Sequence, residues 1–442
     1  MTSVKVKPYV PIVGKRAVLL LSRWVPSWIL LNRDLYNKLQ RGVVGEGLAR
    51  KLYARGMASL RGETLQIPKK ASFSPLYFVI DIADNCNLAC TYCVRHPMKN
   101  HRLSDEKLRE ILKDIKNIAA HGNNEIFIQP FGGEPLLALD QILKIDEFFQ
   151  FHGIPHTITI QTNGTLISLY TAKLMWQRGF QISLSIDGNK STHDIHRITA
   201  SGKGSFLSVL RGFNYLRDAG YPAESIGILT TLTRPLLTRL EEVVDFFVNS
   251  LGANSFRLAY PYLIRPQMAF DFVTPKEYAE VAYYLITIAR NKAQEGKKLI
   301  EAALSSRVKG FLNNDIQDIC WSGPCRMGYR MIAYDIEGNR YPCSELTGLQ
   351  LYQIGHALDG LEEEPDRLER VISDFHRRSF NHLCDECIYL PWCGGGCRMW
   401  SIYGRFQNYS RLDYVCAFTK VVIDEVIQCM VDGKMDLLEC LQ

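Results

Sequence analysis

The sequence of 442 residues has no internal repeat, no low-complexity segment and no uninterrupted apolar run long enough to cross a bilayer. Its longest apolar run, residues 17–31, is broken by Arg23 and Pro26 and falls short of the ~20 apolar residues of a spanning helix. No transmembrane segment is expected. Lys5, Lys7, Lys15 and Arg16 precede the run as the charged start of a signal peptide would, but Arg23 interrupts it and no Ala-x-Ala site follows. The run reads first as a core strand and turn, with a membrane-surface segment or an export signal as the weaker alternatives. Without an export signal the expected location is a reducing cytoplasm.

Nor is the chain poor in apolar residues. At 47% hydrophobic and 22% charged it is no disordered polymer, and its length excludes a small disulfide-stapled scaffold. At ~150 residues per domain it holds two or three. The net charge of +6 is unevenly placed: residues 1–70 carry 14 Lys and Arg against Asp34, Glu46 and Glu63, a balance of +11, so the remainder is mildly acidic. Such a basic arm suits an acidic peptide, a phosphate backbone or an anionic membrane, or is simply a solvated face. Thirteen cysteines, an odd number gathered in clusters, argue against a pure disulfide framework and for metal ligation or redox work.

Residues 76–82, 125–129, 157–161, 181–186, 225–231 and 254–259 read as short buried strands. Helices lie between them. The first has Ser104 as N-cap, Asp105 and Glu106 in its first turn, Leu108, Ile111, Leu112, Ile115 and Ile118 on one face, and Gly122 beyond its end. This alternation predicts about six parallel βαβ units, an α/β partial barrel or open sheet, with catalytic groups at the strand C-termini. Four regions follow: a basic arm at 1–70, the barrel at 71–261, a helical bridge at 262–316 and a cysteine-rich domain at 317–442. Within the last, 329–343 reads as a hairpin turning at Glu337, Gly338 and Asn339, and 418–430 as a closing helix.

Directly after the first strand comes Cys86-x3-Cys90-x2-Cys93. Three thiolates can hold three irons of a 4Fe–4S cluster and leave the fourth iron open to a cofactor or substrate. A three-ligand zinc site is the alternative, although structural zinc takes four ligands and catalytic zinc usually draws on histidine. With Tyr92 before the third cysteine, the motif resembles the radical S-adenosylmethionine (radical SAM) enzymes. Phe131-Gly132-Gly133-Glu134-Pro135 resembles their GGEP motif, which implies that this backbone and Glu134 hold the methionine amino group of the cofactor. Gln161-Thr162-Asn163-Gly164 ends the third strand and Ser183-Leu184-Ser185-Ile186-Asp187-Gly188 the fourth, as in that family. The resemblance implies cofactor contacts for Tyr92, Gly132, Gly133, Glu134, Gln161 and Asn163, a ribose contact for Ser185 and a carboxylate contact for Arg197. His193 and His196 read as surface or capping residues rather than ligands.

Farther on, Cys320-x4-Cys325 and Cys343 are followed by Cys384-x2-Cys387-x5-Cys393-x3-Cys397 and by Cys416. This resembles the SPASM extension of radical SAM enzymes that modify peptides and proteins. The resemblance implies a partial (β/α)6 barrel with a C-terminal SPASM domain and two auxiliary 4Fe–4S clusters. One would use Cys320, Cys325, Cys343 and Cys397, the other Cys384, Cys387, Cys393 and Cys416. Zinc ribbons are the alternative, but zinc sites seldom interleave ligands over so long a span. Cys429 and Cys440 are left as ordinary thiols.

The resemblance therefore implies three 4Fe–4S clusters and S-adenosylmethionine, whose one-electron cleavage yields methionine and a 5′-deoxyadenosyl radical. The leading expectation is a radical SAM peptide maturase that removes hydrogen from an unactivated carbon of a ribosomally made peptide, forming a crosslink or a related oxidation. The alternatives are an anaerobic sulfatase-maturing enzyme that forms formylglycine, and a non-catalytic iron–sulfur or zinc binding module. Expected partners are a peptide with an acidic leader and an electron donor such as flavodoxin or ferredoxin. No nucleic acid is expected, since the basic arm lacks the aromatic platform of RNA-binding modules. Residues 17–31 and a helix over 45–60 loosely resemble a shortened leader-recognition element, which takes an extended peptide by strand addition. The position after Cys343, an aspartate proposed as the base in sulfatase-maturing enzymes, is Ser344 here. Glu345 follows, and in an extended chain it would face away. Formylglycine formation is therefore not expected.

Overall fold

A computed structural model describes residues 4–6, 9–23, 25–60, 76–93, 95, 100–120, 125–259, 273–314, 327–359, 367–371, 384, 387–394 and 412–442. Short β1 (Val4–Val6) leads to three strands, β2 (Tyr9–Val13), β3 (Ala17–Ser22) and β4 (Trp28–Asn32), paired antiparallel in that order. Helices α1 (Arg33–Gln40) and α2 (Glu46–Ala54) follow, then β5 (Ala58–Leu60), which pairs with β1. The apolar run at 17–31 is thus a strand, turn and strand, as expected. The helix expected over 45–60 stops early, because Gly56 turns the chain with φ 67° and returns it as β5.

The barrel strands are β6 (Tyr77–Ala83), β7 (Ile126–Gly132), β8 (His156–Thr162), β9 (Gln181–Ser185), β10 (Gly227–Thr231) and β11 (Ser255–Ala259). All six pair in parallel and in chain order. Between them run α3 (Asp105–Ala119), α4 (Leu139–Phe151), α5 (Leu169–Gln177), α6 (Lys190–His196), α7 (Phe206–Ala219), α8 (Arg234–Leu237) and α9 (Leu240–Asp245). Helix α3 starts as its sequence dictates: the Ser104 hydroxyl accepts from the Lys107 N–H at 3.2 Å, and all five expected apolar residues are buried. After the barrel come α10 (Pro275–Gln294), β12 (Ile300–Glu301), α11 (Ala302–Asn313), β13 (Met331–Tyr334), β14 (Asn339–Tyr341), β15 (Gly355–His356) and α12 (Leu412–Asp432).

The described hairpin of the cysteine-rich region joins the barrel. Strand β13 pairs in parallel with β6, so the expected hairpin extends the barrel's own sheet. A buried ion pair locks it there. The Arg340 Nε donates to Asp114 of α3 at 2.6 Å, and Tyr334 donates to the same carboxylate at 2.6 Å. With Arg340 fully buried, removing either charge would strand the other, at a cost of about 3–5 kcal/mol.

The described part of the basic arm is likewise a folded module. In β3, Leu19 and Leu21 join the main core, while Val18 and Leu20 build a second core with Ile29, Leu39 and Leu52. The module rests on α12, where the Arg16 N–H donates to the Val431 carbonyl at 3.0 Å. Trp28 Nε1 donates to the Phe311 carbonyl of α11 at 2.8 Å. Among the described residues no helix is long and apolar enough to cross a membrane.

Candidate active site

The barrel strands end around one cavity of about 240 Å³. It is lined by Cys86, Cys90, Tyr92, Cys93, Gly132, Gly133, Glu134, Gln161, Asn163, Ser185 and Arg197, together with Arg95, Phe131, Leu229, Thr231 and others. Every cofactor-side residue singled out in the sequence reaches it.

The cysteine loop is held by backbone as much as by side chains. Ala89 N–H donates to the Ile198 carbonyl at 2.7 Å and Thr91 N–H to the His196 carbonyl at 3.0 Å. On its other side, Gly133 N–H donates to the Ala83 carbonyl at 3.0 Å and Glu134 N–H to the Asn85 carbonyl at 2.9 Å. These contacts explain the glycine pair. A Cβ on Gly133 would lie 2.0 Å from the Asn85 oxygen, and Gly132, at φ 143°, would meet the Ala83 oxygen at 1.8 Å. The close approach demanding glycine is that of the cysteine loop.

Burial raises the Cys86 thiol, and it pushes Cys90 up to about 12, with the Arg197 charge opposing it. Cys93 acts on Cys86, and both act on Cys90, which groups the three sulfurs in one electrostatic neighbourhood. Thiols raised in this way become ligands when a metal centre displaces their protons. Among the described residues no three His, Cys, Asp or Glu side chains converge on a single ion. Cluster thiolates each end on a different iron.

Glu134 is buried and accepts from Thr162 Oγ1 at 2.5 Å, from the Asn163 N–H at 2.7 Å and from the Leu136 N–H at 3.1 Å. Burial still holds its carboxyl above the ordinary range, so a cationic ligand in the cavity would recover lost solvation. Opposite lies Arg197, with its side chain 8% exposed and its Nε donating to Asp187 at 2.9 Å. Asp187 also accepts from the Tyr92 hydroxyl at 2.5 Å and from the Thr231 N–H at 2.8 Å. Asn163 does different work, donating to Asn87 at 2.9 Å and lying 3.7 Å from the Cys86 sulfur. Ser185 lines the cavity, and Gln161 meets Gln129 at 3.5 Å.

Two histidines depart from expectation. His193 and His196 are buried rather than on the surface. His193 accepts from the Asp187 N–H at 3.2 Å and pairs with Ser205 at 3.0 Å, while His196 pairs with Thr91 of the cysteine loop at 2.7 Å. They are struts, made necessary by the loop folding back on the segment after α6. Arg95 was also unassigned in the sequence. It pairs with Asp81 at 3.2 Å and stacks on Phe131 at 4.7 Å, and its place two residues after Cys93 was the available signal.

Of the second cysteine group, Cys320, Cys325 and Cys397 lie outside the described residues. Cys343 is buried just after β14. Cys387 N–H donates to the Cys384 carbonyl at 3.1 Å, and Cys393 ends a short helical turn, Leu390–Cys393. From α12, Cys416 comes into the electrostatic reach of Cys384 and Cys387, and burial raises its thiol. Cys429 is buried against Arg290. Ser344–Leu346 forms one turn of 3₁₀ helix, not extended chain, which removes the reason for Glu345 to face away. Its charge acts on Arg95 in the cavity wall.

Comparison with known proteins agrees with this geometry. The radical SAM superfamily model matches residues 80–247. The serine-type anaerobic sulfatase-maturating enzyme of Klebsiella aerogenes is 33% identical over 369 residues, covering 77% of this chain and 84% of that protein. The chain belongs to the radical SAM superfamily, among its maturases. In structure, native anSMEcpe with bound AdoMet and Cp18Cys peptide matches at a TM-score of 0.69 and 21% identity, over 82% of this chain and 99% of that one. SuiB of Streptococcus suis bound to precursor peptide SuiA matches at 0.56 and 18%, over 91% and 96%. The protein is thus a radical SAM enzyme, and the family brings with it a 4Fe–4S cluster and S-adenosylmethionine. The reading as a non-catalytic binding module falls.

Proposed function

We propose that the protein is a peptide maturase that removes a hydrogen atom from an unactivated carbon of a ribosomally made peptide and so installs a crosslink or a related oxidation. The observation that carries this reading is the cavity itself, with three thiols, a buried carboxyl at Glu134 and a buried guanidinium at Arg197. Cys86, Cys90 and Cys93 hold the first cluster. Glu134 takes the ammonium of S-adenosylmethionine, Arg197 its carboxylate and Ser185 its ribose. When bound, the cluster and cofactor would supply one-electron chemistry directed at the substrate carbon. The chain's own part is to orient that carbon and to exclude water and stray hydrogen donors. Two auxiliary clusters, on Cys320, Cys325, Cys343 and Cys397 and on Cys384, Cys387, Cys393 and Cys416, bring the total to three, served by a flavodoxin or ferredoxin.

The N-terminal sheet supports a peptide substrate. Among the described residues both β2 and β4 are edges, but β2 carries Pro11, which cannot donate to a ladder, whereas β4 has neither proline nor charge. A leader strand added at β4 would pass the exposed cations of α1 and α2, Arg33, Lys38, Arg50 and Lys51. An acidic peptide should therefore bind more weakly as salt rises, by fluorescence anisotropy.

A second reading, formylglycine formation on a sulfatase, draws on the sulfatase-maturating relative and on Glu345 acting on the cavity wall through Arg95. Mass spectrometry of a sulfatase-motif peptide incubated with enzyme, cofactor and reductant separates the two. An unchanged peptide is expected, and a serine-type product lighter by two hydrogens would select the second reading.

A further inference from the structure

Arg197 is the cavity's deepest cation, yet its direction is not its own. Its Nε is committed to Asp187 at 2.9 Å, its face lies over the Tyr92 ring at 5.5 Å, and its two terminal nitrogens donate to none of the described residues. The guanidinium fork is therefore aimed by one carboxylate. That carboxylate is buried at 2% exposure and is itself over-determined. One oxygen accepts from Tyr92, inside the cysteine loop, and from Arg197, while the other accepts from the Thr231 N–H at the end of β10. Its backbone N–H is fixed on His193, whose other ring nitrogen meets Ser205, and Ser205 donates to the Arg197 carbonyl at 2.8 Å. Asp187 thus ties together the cysteine loop, the segment after α6 and the C-terminal end of the sheet.

We propose that Asp187 is the positioning residue of the cofactor cradle: it sets the Arg197 fork toward the cofactor's carboxylate and holds it in register with the cysteine loop through Tyr92. This rests on the assignment of Arg197 to that carboxylate. A carboxylate is required here. Asparagine would turn an N–H toward either the Thr231 N–H or the Arg197 and Tyr92 donors, and would leave a buried guanidinium without its counter-charge.

The test is equilibrium dialysis of S-adenosylmethionine and of its decarboxylated analogue on anaerobically reconstituted protein, with iron counted in the same samples. Asp187→Asn is expected to keep its iron and to bind S-adenosylmethionine about tenfold or more weakly, the worth of one charge-assisted hydrogen bond, while its affinity for the analogue is unchanged. If that variant loses iron, Asp187→Glu, which keeps the charge one methylene farther out, should show the same selective loss. Equal weakening of both ligands, or of neither, overturns the role of Asp187 alone. Unmutated protein that binds the two ligands equally would instead remove the Arg197 assignment beneath it.

Discussion

The two cysteine regions are built by opposite routes. Cys86, Cys90 and Cys93 fall within eight residues of one loop, and that loop is laid between two ready-made walls, the Gly133–Glu134 backbone and the 196–198 segment. Cys384, Cys387, Cys393 and Cys416 come from a turn, a short helical turn and a long helix. Cys416 comes within reach of Cys384 and Cys387 through tertiary packing, with α12 laid on α10 and Phe418 stacked on Tyr278 at 5.0 Å. Proximity is local in the first case and bought by the whole fold in the second. Emptying the first loop is therefore expected to leave the second group undisturbed, whereas the place of Cys416 in that group depends on how α12 docks.

The strongest break of that contrast is to replace Cys86, Cys90 and Cys93 together by Ala. Of about twelve irons expected on three clusters, about eight should remain, and 5′-deoxyadenosine formation should vanish on chromatographic assay. Persistence of cofactor cleavage would reassign the site. The mirror experiment is Cys416→Ala, which should cost about four irons while cofactor cleavage survives without peptide product.

A finer probe is Gly133→Ala, which changes no ligand. Its new methyl would overlap the Asn85 oxygen and push the cysteine loop off its wall. A loss of about 1–3 kcal/mol is expected on chemical unfolding, with iron lost from the first site alone. A variant with parental stability would mean that the loop moves freely.

A further effect follows pH. Burial lowers the His193 imidazole to about 4, against the neighbouring Asp187 and Asp194, so the folded protein holds it neutral. Its unfolded value is about 6.5, so the native state binds fewer protons between these values and stability falls as pH drops through that window. The contribution is full above pH ~6.5 and has lost about 3 kcal/mol by pH ~4, with no further loss from this group below. His193→Gln should flatten that part of the profile. An unchanged slope would show that other groups dominate the support of the loop.

Much of this was legible beforehand, and for identifiable reasons. The strands of the barrel, the Ser104 cap and the apolar face of α3 are written in local periodicity, and they appear within a few residues of where periodicity puts them. The cofactor-side residues were legible because each sits at a strand end, where a parallel barrel gathers side chains whatever lies between them. Asp187 stood in a recognised stretch yet its task did not show, because its partners are 10, 44 and 95 residues away. Arg340 and Asp114, separated by 226 residues, were hidden for the same reason.

The sequence by itself determined the βαβ alternation, the local cysteine triad and the glycine pair, because each depends on spacing along the chain or on the size of one side chain. Only the tertiary structure decided that the cysteine-rich hairpin would continue the barrel sheet, that a basic N-terminal stretch would fold against α12, and that one buried aspartate would aim Arg197. Those outcomes depend on which surfaces bury each other and which buried charges find partners, and burial is a property of the assembled fold.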